Sequence, residues 1–195
     1  IGSDITGSGT NASNLRTAFE DMYSDGARVF TNSWGDDGTT AYTTWCEDID
    51  QFAWNNEDVL VVFACSNLTS LKTPENAKNC LAVDQSGDNP NQNNSDGGNG
   101  PTSDGRRKPE ITAPGIGILS ADANTTIDCG TRPSTGTSMA TPAVAACGSI
   151  MRQYYMEGWY PSGTRQPHHS FIPSGALIKA TLLNSTVDMT GTDDT

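Results

Sequence analysis

Apolar residues recur along this chain in two periods, and the alternation between them outlines a fold. Leu15, Ala18, Phe19 and Met22 fall three and four apart, the spacing of one helix face, and Gly26 closes that stretch. Arg28 to Thr31 predicts a short strand leading into Ser33-Trp34-Gly35. Tyr42, Trp45, Ile49, Phe52 and Ala53 return to helical spacing. Val59-Leu60-Val61-Val62-Phe63-Ala64 is unbroken and rich in β-branched residues, as in a strand buried on both faces. Leu81-Ala82-Val83 predicts another strand. A long helix is expected from about Ser138 to Glu157, ended by Gly158, and a last one through Leu177, Ala180 and Leu183. Strands alternating with helices in this way predict an α/β domain of three layers, a parallel sheet with helices on both faces. Residues 1–13, 85–107 and 188–195 are polar and rich in turn formers. They predict a leading loop, a long surface loop and a flexible tail.

Composition narrows the function classes. The 195 residues amount to one domain with a sizeable core. A net charge of −12 leaves no basic patch to neutralise phosphates, which argues against nucleic acid. No apolar run reaches membrane-spanning length. The acidic balance suits a secreted protein and leaves room for a structural calcium ion at Asp84, Asp88 and Asp96, although a solvated loop is the simpler reading of that stretch.

Five cysteines, at 46, 65, 80, 129 and 147, leave at least one unpaired. Cys65 ends one strand and Cys80 begins the next, so a Cys65–Cys80 disulfide is expected, in an oxidising compartment. Cys147, within a helix of small residues, is expected to be a buried free thiol. N-x-Ser/Thr acceptors at Asn11, Asn67, Asn93, Asn124 and Asn184 fit a secretory route.

The sharpest chemistry lies in Gly136-Thr137-Ser138-Met139-Ala140-Thr141-Pro142, directly before a run of small residues. This places Ser138 in the first turn of a core helix, where unpaired N–H groups and a partial positive charge favour an anion. A serine hydroxyl there can attack a carbonyl while donors await the oxyanion. A plain N-capping serine would explain Ser138 but not its neighbours.

This heptapeptide resembles the nucleophile motif of the subtilisin-like serine proteases. Four further blocks agree in order: Thr31-Asn32-Ser33-Trp34-Gly35, Gly100-Pro101-Thr102-Ser103-Asp104-Gly105-Arg106, Lys108-Pro109-Glu110-Ile111-Thr112-Ala113-Pro114-Gly115, and Ser174-Gly175-Ala176-Leu177-Ile178-Lys179-Ala180. The resemblance implies a peptide-bond hydrolase acting on polypeptides, with no cofactor or metal required. It makes Ser138 the nucleophile and Asn67 a side-chain oxyanion donor. It makes Ser33, Trp34 and Gly35 the segment that pairs with substrate, and Ala64, Cys65 and Ser66 the wall of the specificity pocket. Two departures stand out. Ser66 replaces a family glycine, and Asn67-Leu68-Thr69 turns the oxyanion donor into a glycan acceptor.

The family runs Asp, His, Ser in chain order. Here the only histidines, His168 and His169, follow Ser138 within a polar loop and are read as solvated. Asp4-Ile5-Thr6-Gly7 is not taken as the family's aspartate site, because no hydrophobic strand precedes it and it lies too close to Ser33 for a His block to fit between. The expectation is therefore the C-terminal part of a catalytic domain, incomplete on its N-terminal side, whose Asp and His reside elsewhere. Two other readings remain: an inactive pseudoprotease domain in an extracellular assembly, and a binding module that uses the strand-pairing cleft.

Overall fold

A computed structural model describes residues 12–87, 97–122 and 130–189. Four strands form a parallel sheet in the order β1 (Val29–Asn32), β2 (Leu60–Ala64), β3 (Leu81–Ser86), β4 (Ile111–Pro114). Two short strands, β5 (Ile118–Ala121) and β6 (Thr131–Ser134), pair antiparallel beside it. The helices are α1 (Ala12–Ser24), α2 (Thr44–Asn55), α3 (Thr137–Met156) and α4 (Gly175–Asn184).

Side-chain alternation along β2 builds the three expected layers. Val61 and Phe63 face one core with Phe19 of α1 and Ile49 and Phe52 of α2. Leu60 and Val62 face the other, with Ala140, Val144 and Ala145 of α3 and Ile178 and Leu182 of α4. Phe19 stacks on Phe52 at 5.2 Å, and Phe30 meets both rings edge-on. Each such buried ring contributes about 1.5–3 kcal/mol of transfer free energy. Gly148 lets α3 lie close on the sheet, since a Cβ there would stand 2.5 Å from Leu60 Cδ2.

The block Lys108-Pro109-Glu110 proves to be structural. Glu110 Oε1 pairs with Lys108 Nζ at 2.9 Å and Lys179 Nζ at 2.6 Å, while Oε2 accepts the Ala82 N–H at 2.8 Å. One carboxylate thus joins β3, α4 and the segment entering β4. A second knot lies before β1 and β2, toward the opposite edge of the sheet. Asp58 accepts bonds from Tyr23 Oη, Arg28 Nε and Arg152 Nη2. Partial burial alone would raise the Asp58 pKa, but Tyr23 and the two guanidinium groups outweigh it and hold the carboxyl below its ordinary range. A depressed carboxyl contributes stability above its unfolded pKa, and that contribution is lost as pH falls through the folded value. Asp58→Asn is therefore expected to lose about 1–2 kcal/mol at neutral pH, discounted for partial exposure, or roughly 3–6 °C in Tm. The gap from wild type should close as the pH drops below about 4; thermal melts across pH check this.

Several expectations are corrected. The stretch from 85 is not loop at its start, because β3 runs on to Ser86 and buries Asp84, Gln85 and Ser86. These polar residues are accommodated inside the sheet, where pairing with β4 takes their backbone groups. Asp84 therefore cannot belong to a solvated loop; Asp88 and Asp96 lie outside the described residues. Cys65 and Cys80 are free thiols rather than a disulfide. The register pairs Ala64 with Val83, which offsets the two cysteines by about four residues, roughly 13 Å along the strands. They also enter different cores: Cys80 joins Phe52 and Val61, and Cys65 joins Leu71 and Ala82. Burial pushes the Cys80 thiol up to about 11. Cys147 is exposed rather than buried, because the sheet-facing stripe of α3 is Ala140, Val144, Ala145 and Gly148. Cys129, Asn11, Asn93 and Asn124 lie outside the described residues. Asn184 is exposed at the end of α4.

Candidate active site

The end of β2 and the start of α3 meet at one point. Gly136 caps α3 with φ 151°, a backbone state that a side chain would strain. The next residue, Thr137, is fully buried and locks the junction, its hydroxyl donating to the Cys65 carbonyl at the end of β2. Asn67, two residues past that carbonyl, turns its side chain onto the helix: Oδ1 accepts the Thr137 N–H at 3.0 Å. The amide oxygen is thereby spent on the helix terminus. Among the described residues, neither Asn67 Nδ2 nor the Ser138 N–H has an acceptor. Two unspent donors therefore remain at the N-terminus of α3, where Ser138 is half-buried.

Pro142 explains how Ser33 reaches the same point. Lacking an N–H, Pro142 leaves the Ser138 carbonyl without its helical donor four residues on. Ser33 Oγ donates to that carbonyl at 3.1 Å. Ser33 follows directly on β1, so the ends of β1, β2 and α3 converge. Trp34 packs edge-on against Trp45 at 5.8 Å and Phe63 at 5.2 Å, which holds the exposed Gly35 in place.

Ala64, Cys65 and Ser66 lie behind this point and are buried. The Ser66 hydroxyl donates to the Ser70 carbonyl at 2.9 Å, and the Ser66 carbonyl accepts the Gly98 N–H at 2.7 Å. A Cβ on Gly98 would stand 2.6 Å from Ser66 Oγ, so the serine that departs from the family pattern is packed from behind by a glycine.

His168 and His169 do not approach Ser138. They occupy a short 3₁₀ turn, Pro167–His169, beside the far end of α3, where the Phe171 N–H bonds the Tyr155 carbonyl. At about 1.5 Å per residue that is roughly 25 Å from Ser138. Sequence reasoning missed Glu75. This carboxylate is 1 % exposed, and its Oε1 accepts the N–H groups of Ser66 at 3.2 Å and Lys72 at 2.6 Å. Burial, reinforced by Asp37, pushes its pKa up despite those bonds. Its setting, Lys72-Thr73-Pro74-Glu75-Asn76, reads as an ordinary polar turn and gives no sequence signal. Among the described residues, no cluster of His, Cys, Asp or Glu is arranged to hold a metal ion.

The model of the subtilase family matches residues 2–195. The chain belongs to the subtilase family. This subtilase is 45% identical over 105 residues to the serine protease/ABC transporter B family protein tagD of Dictyostelium discoideum, covering 48% of this chain and 6% of that protein. It is 37% identical over 130 residues to tagB of the same organism, covering 60% of this chain and 7% of that one. The chain thus spans less than a tenth of the curated relatives it matches. Among solved structures it is similar to the prenylagaramide maturation protease PagA, with TM-score 0.62 and 26% identity over 80% of this chain and 54% of that one. It also matches the self-cleaved protease domain of PatA, with TM-score 0.58 and 21% identity over 91% of this chain and 70% of that one, a likeness of fold. The parallel sheet with helices around it is consistent with an incomplete subtilisin-like α/β domain. Among the described residues, no helix is long and apolar enough to cross a membrane.

Proposed function

We propose that this subtilase domain hydrolyses peptide bonds through an acyl-enzyme at Ser138, with the catalytic His and Asp supplied by a segment outside this chain. The observation that carries this reading is the Asn67 amide, anchored by its oxygen to the Thr137 N–H, which brings it to the N-terminus of α3 with its NH₂, like the Ser138 N–H, left without an acceptor among the described residues. An incoming His takes the Ser138 proton as the hydroxyl attacks the scissile carbonyl, and an Asp orients that His. The two free donors then hold the oxyanion. Ser33, Trp34 and Gly35 receive the substrate backbone as an added strand. The segment that brings His and Asp fits beyond β1, which stands at the sheet edge and leaves Thr31 exposed. Hydrolysis of a peptide library by the full-length protein, with the cleaved bonds read by mass spectrometry, tests the activity; no cleavage by the intact protein would oppose it.

In this reading Cys65 and Ser66, which stand where the family has Ala-Gly, narrow the pocket through the backbone that their inward-packed side chains displace. Peptides with small residues immediately before the cut are expected to be cleaved at least several-fold faster, in kcat/KM, than those with Phe, Tyr or Trp. A preference for bulky aromatics would contradict this.

A second reading has its own observation. Asn67 is exposed and lies in a glycan-acceptor triplet. A glycan on Nδ2 would remove a donor and fill the space before Ser138, leaving an inactive pseudoprotease domain that serves as a structural or binding module. Glycan mapping at Asn67 discriminates: an unmodified Asn67 supports the protease and full occupancy the module. Both readings place the domain in a secreted or extracellular setting, where Asn184 is a further acceptor.

A further inference from the structure

Glu75 has no part in the chemistry above, yet it sits between the two walls of the cleft. Its Oε1 gathers the N–H groups of Ser66 and Lys72, the two ends of the loop that carries Asn67. The Ser66 hydroxyl, bonded to the Ser70 carbonyl, draws the same loop inward. On the other side, a Cβ at Gly35 would stand 3.3 Å from Glu75 Oε2, so the carboxylate also abuts the segment expected to pair with substrate. That segment is held in turn by the Asp36 N–H on the Thr73 carbonyl at 2.8 Å, two residues before Glu75.

Among the described residues no cation pairs with Glu75: Arg106 is bound to Asp104, and Lys108 and Lys179 to Glu110. A buried carboxylate without a counter-ion is costly and is kept tolerable by the N–H groups it accepts. An apolar side chain would fill this space at lower cost if packing were its only role. Only the loop hydrogen bonds distinguish Glu75 from such a replacement.

We propose that Glu75 is a positioning residue for the oxyanion donor: by closing the 66–72 loop on one carboxylate oxygen it fixes where Asn67 stands against the N-terminus of α3. The inference rests on the reading of Asn67 as that donor. Misplacing a catalytic group by about 1 Å costs on the order of 10²-fold in rate.

The test uses the full-length protein. Glu75→Met keeps the volume and removes the acceptor; Glu75→Gln keeps an oxygen able to accept both N–H groups. Glu75→Met is expected to lower kcat about 10- to 100-fold with KM within about threefold, because the donor acts in the transition state. Glu75→Gln is expected to retain turnover within about threefold of wild type. In an Asn67→Ala background, Glu75→Met is expected to add nearly nothing, since its route to the reaction is already cut. A Gln variant as slow as the Met variant, or a Met variant that slows the Asn67→Ala protein by its full factor, overturns the proposal. So does unchanged kcat in Glu75→Met. If Glu75→Met does not fold, Glu75→Ala takes its place, and the Gln result is decisive in either case. Should the wild-type protein prove inactive, the protease reading fails separately, and hydrogen exchange judges the loop. Ser66 and Lys72 amides that exchange at least about tenfold faster without the acceptor, but not in Glu75→Gln, support the positioning. Equal rates overturn it.

Discussion

Ser138→Ala is expected to abolish peptide-bond hydrolysis by the full-length protein, a loss on the order of 10⁶ in kcat, the size seen when the nucleophile is removed from subtilisin. Nothing else at the site can replace the hydroxyl. Ser33, the nearest other serine in the hydrogen-bond network, spends its hydroxyl on the Ser138 carbonyl. The fold should survive, because among the described residues the Ser138 hydroxyl makes no hydrogen bond; its neighbour Thr137 supplies the locking contacts. Substrate binding should change little, so the variant retains peptide affinity while losing turnover. A Ser138→Ala protein with more than about a hundredth of wild-type kcat would assign the chemistry to another group.

Asn67→Ala carries the second-largest effect. The magnitude is borrowed from subtilisin, where loss of the corresponding side-chain donor costs about 10²–10³ in kcat. Here the substitution removes two interactions. It takes away the free NH₂ and also the oxygen that accepts the Thr137 N–H. Asn67→Asp separates them: the carboxylate still accepts from Thr137 but offers no donor and sets a negative charge beside the developing oxyanion. It should therefore be at least as slow as Asn67→Ala while melting closer to wild type. Steady-state kinetics and thermal melts on the three proteins check both expectations. An Asn67→Asp variant that keeps near-wild-type kcat would remove Asn67 from the oxyanion site.

The core was legible because burial imposes period. The run Val59 to Ala64 predicts a doubly covered strand, and Val61 and Phe63 indeed face one core while Leu60 and Val62 face the other. The helix after Gly136 was legible from a local signal, a glycine cap followed by small residues. Residues whose burial depends on distant partners were not. Asp84, Gln85 and Ser86 look like turn formers, yet the β4 strand beside them makes them sheet. Strand register is invisible in a sequence, and here it sets Cys65 and Cys80 about four residues apart along neighbouring strands. The side of α3 that Cys147 occupies depends on where the sheet lies. At the site, the motif residues 138, 67 and 33 do converge, but Glu75 could be found only from the folded loop that it closes.

The most direct measurement is labelling of the intact protein by a fluorophosphonate, which reacts only with a serine activated as a nucleophile. One adduct on the peptide bearing Ser138, absent in Ser138→Ala and strongly slowed in Asn67→Ala, is the predicted result. An intact, folded, unglycosylated protein that takes no label at Ser138 would contradict it.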